Sequence, residues 1–408
     1  MPVVALVGTL DTKGLEYGWL RDRLLRSGVD VLVIDAGVAG EPRITADIPR
    51  AEVARAAGLD LSRLRAGRDR GSAVTEMARG AEEVVRRLHA EHRLHGVLAL
   101  GGSGGTSIAT RAMRALPLGV PKLMVSSMAA GDVSPYVGTT DIAMMYSVVD
   151  IAGINRVSAP ILANAADAIA GMAKGYAAAS AAPPPVDGRP LVAATMAGVT
   201  TPCVDAARER LTELGYEVLV FHTVGPGGRS MEALAGQGLL AGVLDLTLSE
   251  LADDLVGGHF GSGPDRLRTA GRNGLPQVVS PGALDMVKFG PLASLPERFR
   301  DRHFLVHNPS VTVIRTTASE SAHLGRGIAV KLRAATGPTA LCLPLRGLST
   351  LGEPGGIYHD PIVDATLFHA LRDGLRGSTV QLLEYDTHIN DPAFARATAD
   401  RLHAMITG

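Results

Sequence analysis

Short apolar runs alternate along the chain with stretches whose apolar positions recur at helical spacing. The run "VVALVG" (3–8) predicts a buried strand, and "LEYGWLRDRLLRSG" (15–28) predicts a helix that stops at Gly28. "VDVLVIDAG" (29–37) predicts the next strand. Beyond a polar stretch (38–70), "AVTEMARGAEEVVRRLHAEH" (73–92) predicts a helix, "GVLALGG" (96–102) a strand and "TSIATRAMRAL" (106–116) a helix. "PKLMVSS" (121–127) reads as a strand and the apolar "AMMYSVVDIAGIN" (143–155) as a helix. Strands apolar throughout, alternating with helices, mark a parallel sheet covered on both faces.

"SAAPPPVDGRP" (180–190) carries four prolines and no apolar period, which predicts a linker. The pattern then restarts with strand "PLVAATMAG" (190–198), helix "CVDAARERLTELG" (203–215) and strand "YEVLVFHTVG" (216–225). At an offset of 187 residues, "RDRLLRSGVDVLV" (21–33) faces "RERLTELGYEVLV" (208–220). Further strands are expected at 304–317, 339–347 and 379–386, and a closing helix at 391–406 capped by Asp391 and Pro392. The expected organisation is α/β: two halves, 1–179 and 191–408, related by duplication and joined by the linker.

Composition narrows the function. Formal net charge is −1, so no basic excess serves a phosphate backbone and no nucleic-acid partner is expected. Two cysteines, Cys203 and Cys342, are too few for a disulfide framework and fit a reducing compartment. The N-terminus has no positive n-region, and no run approaches the ~18 apolar residues of a membrane helix. A soluble, cytoplasmic protein without a membrane partner is expected.

The segment "LGGSGGTS" places four glycines between a strand and a helix. The first N–H groups of a helix lack intrahelical partners and favour an anion, so glycines there let a phosphate approach the backbone. The alternative is a tight turn that needs glycine for positive φ. No Walker lysine follows, and the spacing is not that of a dinucleotide loop. The loop is closer to the Gly-Gly-Asp-Gly loop of NAD kinase-like and phosphofructokinase-like enzymes, with Ser103 in place of the Asp. Thr106 can cap the helix or touch the ligand.

Two further loops are expected on the same sheet edge. In Gly8–Gly14, Thr9 and Thr12 can donate to phosphate and Lys13 can neutralise it. Asp11 can hold magnesium or a ribose hydroxyl, or Asp11 or Thr12 caps the following helix. Asp35-Ala36-Gly37 ends a second strand, where an acid often meets ribose. The Ser-, Gly- and Thr-rich stretch 126–141 follows the fourth strand. Gly225-Pro226-Gly227-Gly228-Arg229 offers a second anion site or a plain turn ahead of a helix at 230–236.

Candidates for chemistry are fewer. Asp245, Glu250, Asp253, Asp254 and Asp285 follow strands, where a carboxylate serves as a base or magnesium ligand; Glu250, Asp253 and Asp254 equally suit a solvated helix face. Cys203, at a helix start, could pair with His222, or be apolar filler. His89, His92 and His95 suit a solvated helix end better than zinc. Arg315, Arg346 and Lys331 could hold an anionic substrate.

Seven segments together resemble one family: "VALVGTLDTKG", "VLVIDAG", "LGGSGGTSIATRAMRALPLGVPKLMVS", "GDVSPYVGTTDIAMMYSVVDIAGIN", "ATMAGVTTPCV", "VLDLTLSELADDLVGG" and "VVSPGALDMV". They look like the Tm-1-like ATP-binding family, also called UPF0261, over nearly the whole chain. The resemblance implies two Rossmann-like subdomains with mainly parallel sheets and a cleft between them, ATP with Mg2+, and a homodimer. The ATP contacts it implies are Thr9, Leu10, Asp11 and Lys13; Ala36 and Gly37; Gly101, Gly102, Ser103, Gly104, Gly105 and Thr106; and Ser126, Ser127 and Met128. The expected function is Mg-ATP binding with phosphoryl or adenylyl transfer, or hydrolysis, on an unidentified small molecule. The alternatives are a nucleotide-sensing module without turnover and, more distantly, an NAD- or sugar-phosphate-utilising enzyme. Catalytic residues and metal ligands stay unassigned.

Overall fold

The computed structural model describes residues 1–66, 69–182 and 188–408. Contacts divide the chain into two compact units, Met1–Val186 and Asp187–Gly408. The expected linker begins inside a helix that runs to Ala181, and its residues 183–187 lie outside the described residues.

The first unit runs β1 (Val3–Gly8), α1 (Leu10–Arg26), β2 (Asp30–Asp35), α2 (Arg50–Ala56), α3 (Leu61–Ala66), α4 (Arg70–Ala90), β3 (Gly96–Gly101), α5 (Ser103–Arg114), β4 (Lys122–Ser126), α6 (Ser134–Val137), β5 (Ala143–Tyr146) and α7 (Ser158–Ala181). Its sheet has the order β2-β1-β3-β4-β5, and every pairing is parallel. Alternate strand residues feed opposite layers, as the two-residue period requires. Ala5, Val7, Ala99 and Met124 pack with Val53, Met77 and Met113 on one face. Val4, Leu6, Leu98 and Val125 pack with Leu20, Leu24 and Ile169 on the other.

The second unit runs β6 (Leu191–Met196), α8 (Thr201–Glu213), β7 (Glu217–His222), α9 (Pro226–Gly236), β8 (Gly242–Thr247), α10 (Ser249–Val256), α11 (Thr269–Arg272), β9 (Gln277–Gly282), β10 (Met286–Phe289), β11 (Phe304–Asn308), β12 (Val311–Arg315), α12 (Ala318–Arg333), β13 (Thr339–Pro344), α13 (Pro361–Leu375), β14 (Gln381–Tyr385) and α14 (Pro392–Thr407). Its main sheet, β14-β13-β9-β8-β6-β7, is parallel and repeats the strand order of the first unit, with β14 added. The paired glycines Gly28 and Gly215 both take positive φ, +72° and +89°, just after their helices.

The structure departs from the sequence reading in four places. Residues 304–317 form an antiparallel hairpin, β11–β12, which joins β10 in a separate three-stranded sheet. Residues 143–155 hold the edge strand β5 and a loop; a short apolar run does not distinguish strand from helix. α1 starts at Leu10 and bends at Lys13 (φ −123°, ψ 16°), so the expected loop 8–14 is mostly a helical turn. α5 starts at Ser103, three residues early. Among the described residues, no helix is long and apolar enough to cross a membrane.

Candidate functional site

In a sheet ordered 2-1-3-4-5 the chain leaves β1 in both directions, and the crevice between the carboxyl ends of β1 and β3 is where such sheets take ligands. Tyr17, from α1, closes the floor of that crevice. Its hydroxyl donates to Val7 O (2.6 Å) and accepts the Leu100 N–H (3.0 Å), bridging β1 and β3. Its ring leaves no room for a side chain at position 8: a Cβ on Gly8 would lie 2.0 Å from Cζ. Glycine after β1 is thus required by packing. Tyr17 carries no motif signal and was not singled out from the sequence.

Asp35 joins the first two loops. Its Oδ1 accepts the N–H groups of Leu10 (3.1 Å) and Gly37 (2.8 Å), and the side chain is buried. Burial raises its pKa, against those two hydrogen bonds. Asp35 therefore sets the loops rather than facing a ribose. Ala36 is buried and donates its N–H to Gly8 O (2.7 Å). Asp11 Oδ2 accepts from Ala39 and Gly40 (2.9 and 3.1 Å), while its Oδ1 is buried without a partner. A Cβ on Gly37 would lie 2.7 Å from that Oδ1, so the glycine leaves the oxygen its space. Lys13 does not face the crevice as a free cation; its ammonium donates to Ile151 O. The hydroxyls of Thr9 and Thr12 bond each other (2.7 Å) at the exposed edge.

The glycine segment resolves the choice between turn and open backbone. None of Gly101, Gly102, Gly104 and Gly105 has positive φ. A Cβ on Gly101 would lie 2.9 Å from Gly105 Cα, so the strand end and first helical turn need glycine there. At Gly102, Gly104 and Gly105 the nearest atoms stand 3.7, 4.0 and 3.5 Å from a Cβ, ordinary contact distances. Packing does not require those three glycines, although Gly104 and Gly105, inside α5, each forgo up to about 1 kcal/mol of helix propensity. The first helical bond is Thr106 N–H to Gly102 O, and the N–H groups of Ser103, Gly104 and Gly105 have no partner among the described residues.

Thr106 and Ser126 stand behind this rim. Both are fully buried, and their hydroxyls bond at 2.7 Å. Thr106 also donates to Gly102 O (2.8 Å), and Ser126 Oγ accepts the Met128 N–H (3.0 Å). They tie the third and fourth loops together. Ser127 is half-buried and Met128 exposed beside them. The expected loops thus share one edge. They present Ser103–Gly105, the Thr9 and Thr12 hydroxyls, Ser127 and Met128, while the unpartnered Asp11 Oδ1 is buried. The side chains of Lys13, Asp35, Thr106 and Ser126 and the N–H groups of Leu10, Ala36 and Gly37 are committed to the scaffold.

The second glycine segment already holds an anion. Gly225 has φ +84° and α9 begins at Pro226, so the helix expected at 230 starts earlier. Glu250 Oε1 accepts the N–H groups of Gly225 (2.7 Å) and Gly228 (3.1 Å). Its other oxygen meets Arg266 Nε at 2.7 Å, and Arg266 also pairs with Asp245 and, at 3.6 Å, with Glu232. Burial opposes charge on Arg266, but Asp245, Glu250 and Glu232 outweigh it and hold the guanidinium above its ordinary pKa. Glu250 and Asp253 are buried, against the solvated face the helix suggested; Asp254 is exposed and accepts from Ser262 and Gly263. Asp253 Oδ2 lies 3.2 Å from the Lys288 ammonium.

The other candidates are similarly engaged. Asp285 is buried and accepts the Ser349 hydroxyl at 2.5 Å; burial raises its pKa. Arg315 pairs with Asp364 and Arg346 with Asp386, each at 2.6 Å. Cys203 is fully buried, which pushes its thiol upward, and His222 bonds Met196 O instead. His95 accepts the Val3 N–H, His89 bonds Tyr176, and among the described residues no three His, Cys, Asp or Glu are placed to hold a metal.

Two family models match the chain: the N-terminal domain of an uncharacterised protein family (UPF0261) over residues 2–178, and its C-terminal domain over 189–406. A UPF0261 protein of Clostridium tetani is 46% identical over 404 residues, covering 99% of this chain and 98% of that one. The ToMV resistance protein Tm-1(GCR237) of Solanum lycopersicum is 39% identical over 417 residues, covering 98% of this chain and 55% of that one. Among solved structures, UDP-GlcNAc 2-epimerase from Neisseria meningitidis bound to UDP-GlcNAc covers 68% of this chain and 82% of its own at 9% identity. Its TM-score is 0.24, and that likeness carries nothing about ligands.

Proposed function

The chain belongs to the UPF0261 family, and from that premise we propose that its first unit binds ATP with magnesium, the phosphates resting on the N-terminus of α5. One observation carries the reading. Three consecutive N–H groups without partners among the described residues lie at the start of α5, on a segment whose glycines Gly102, Gly104 and Gly105 packing does not require. A helix start of this kind favours a multiply charged anion through its dipole and its open donors.

Magnesium fits the donors in part. Mg2+ is commonly held by one or two carboxylates together with nucleotide phosphates. Asp11, with one oxygen uncommitted, is the carboxylate that would hold it; the ion would neutralise phosphate charge that Lys13 does not reach. The Thr9 hydroxyl and Ser127 flank the same edge as further donors. The reading extends to a cytoplasmic homodimer acting on an unidentified small molecule by phosphoryl or adenylyl transfer, or hydrolysis.

A second reading, nucleotide sensing without turnover, is favoured by one feature. Asp35, Thr106 and Ser126, polar residues at the strand and helix ends of the same sheet edge, are bound into the scaffold and supply no free base. Calorimetric titration of Mg-ATP, followed by assay of ADP and AMP, tests both. Saturation near one ATP per chain is expected. No saturation overturns the nucleotide reading; steady release of ADP or AMP from the bound complex overturns the sensing one.

A further inference from the structure

Of the three cations singled out as anion holders, Arg315 and Arg346 are paired with carboxylates, but Lys331 is not. Its ammonium donates to Pro264 O (3.0 Å) and Arg266 O (2.5 Å), and among the described residues no carboxylate lies within 4.0 Å. An ammonium has three donors, so one remains. Lys331 lines a groove of about 400 Å³ between α10 and α12. The walls follow from helical spacing: Leu251 and Leu255 face it from α10, Leu324 and Ile328 from α12, one turn apart in each helix, and Pro264 also lines it.

We propose that this groove binds a small carboxylate with an apolar body, its head on Lys331 and its chain between α10 and α12. The volume suits a small molecule, and a mostly apolar wall with one placed polar group is the usual form of such sites. The charge balance selects an anion. Asp254 is the one carboxylate on the wall, and its Oδ2 is committed to the Ser262 and Gly263 N–H groups. Burial, with Arg268 and Arg266 nearby, pushes the Lys331 pKa down to about 8 against the opposing charges of Glu232 and Asp254, and His323 is the other titratable side chain on the groove wall. The site belongs to the second unit and does not depend on nucleotide binding by the first.

Octanoate and octan-1-ol, titrated calorimetrically, separate head from chain. Three proteins are compared: wild type, Lys331→Gln, which keeps two N–H donors without the charge, and Gly327→Leu. A Cβ on Gly327 meets nothing within 4 Å, so leucine there fills the groove without disturbing the helix. Octanoate should saturate at one per chain, weaken at least about tenfold in Lys331→Gln, and weaken in wild type as pH rises through about 8. Octanol should bind wild type and Lys331→Gln equally. Gly327→Leu should weaken both ligands. Non-saturable octanoate binding, equal octanoate affinity in wild type and Lys331→Gln, or full binding to Gly327→Leu would each overturn the proposal.

Discussion

Replacing Arg266 with methionine removes the one cation that three buried carboxylates share. The guanidinium meets Asp245 Oδ1 and Oδ2 at 2.7 and 2.5 Å and Glu250 Oε2 at 2.7 Å, and it donates to Thr247 O at 3.1 Å. Without it, Asp245 keeps only the Thr195 hydroxyl, and Glu250 keeps the Gly225 and Gly228 N–H groups. Breaking a buried ion pair from one side costs about 3–5 kcal/mol, because the remaining charge stays desolvated. Against a total of about 5–15 kcal/mol for a folded domain, Arg266→Met should remove about a fifth or more of the second unit's stability. Urea unfolding followed by far-UV circular dichroism measures the loss. Hydrogen exchange over β8, α9 and α10 localises it. Trp19 is the one tryptophan and lies in α1, so its fluorescence reports the first unit separately. Adding Glu250→Gln should recover about 1–2 kcal/mol, since one stranded charge is then gone. A loss below about 1 kcal/mol, with exchange of those segments unchanged, would refute the view that this network holds the second glycine segment in place.

Two other perturbations bear on the same structure. Burial pushes Asp253 up to about 6, against the Lys288 charge. A carboxyl raised on folding stabilises below its unfolded pKa, near 3.8, and that contribution is lost as pH rises through about 6. Asp253→Asn should therefore match wild-type stability near pH 4 and exceed it by about 2–3 kcal/mol near pH 7, in urea titrations at both values. Equal differences at the two pH values would contradict this. Tyr17→Phe strips the hydroxyl that bridges Val7 O and the Leu100 N–H, at a cost of about 1–3 kcal/mol, and should also weaken Mg-ATP, because the crevice floor loses its tie. An unchanged thermal midpoint in that variant would show that the bridge does not hold β1 to β3.

What the sequence disclosed follows from which forces are local. The parallel sheets were legible because strands buried on both faces must be apolar throughout, as in Val4–Val7 and Val97–Leu100. The β11–β12 hairpin was legible too, in the Asn308-Pro309-Ser310 turn signal that separates its strands, but reading 304–317 as one strand passed over it. The loops on the carboxyl edge of the first sheet were legible as strand ends rich in Gly, Ser and Thr, but the bonds inside them were not. Asp35, Thr106 and Lys13 bond Leu10 N–H, Ser126 and Ile151 O, partners that only tertiary structure brings to them. Glu250 shows the same limit: its place in the Gly225–Gly228 segment depends on a contact 22 to 25 residues away. α5 starts at Ser103, where the sequence's two glycines argue against helix, so tertiary packing overrides propensity at the position where open donors result.

The most direct measurement is calorimetric titration of Mg-ATP into wild type and Gly104→Val, with circular dichroism to show that both are folded. A Cβ at Gly104 comes no nearer than 4.0 Å to its surroundings, so valine fits the fold and sets a branched side chain on the residue between two of the open N–H groups. The account predicts saturable binding to wild type and at least about a tenfold loss in the folded variant, equivalent to about 1.4 kcal/mol. Equal affinity in the two folded proteins would contradict it and would place the nucleotide, if bound, away from the start of α5.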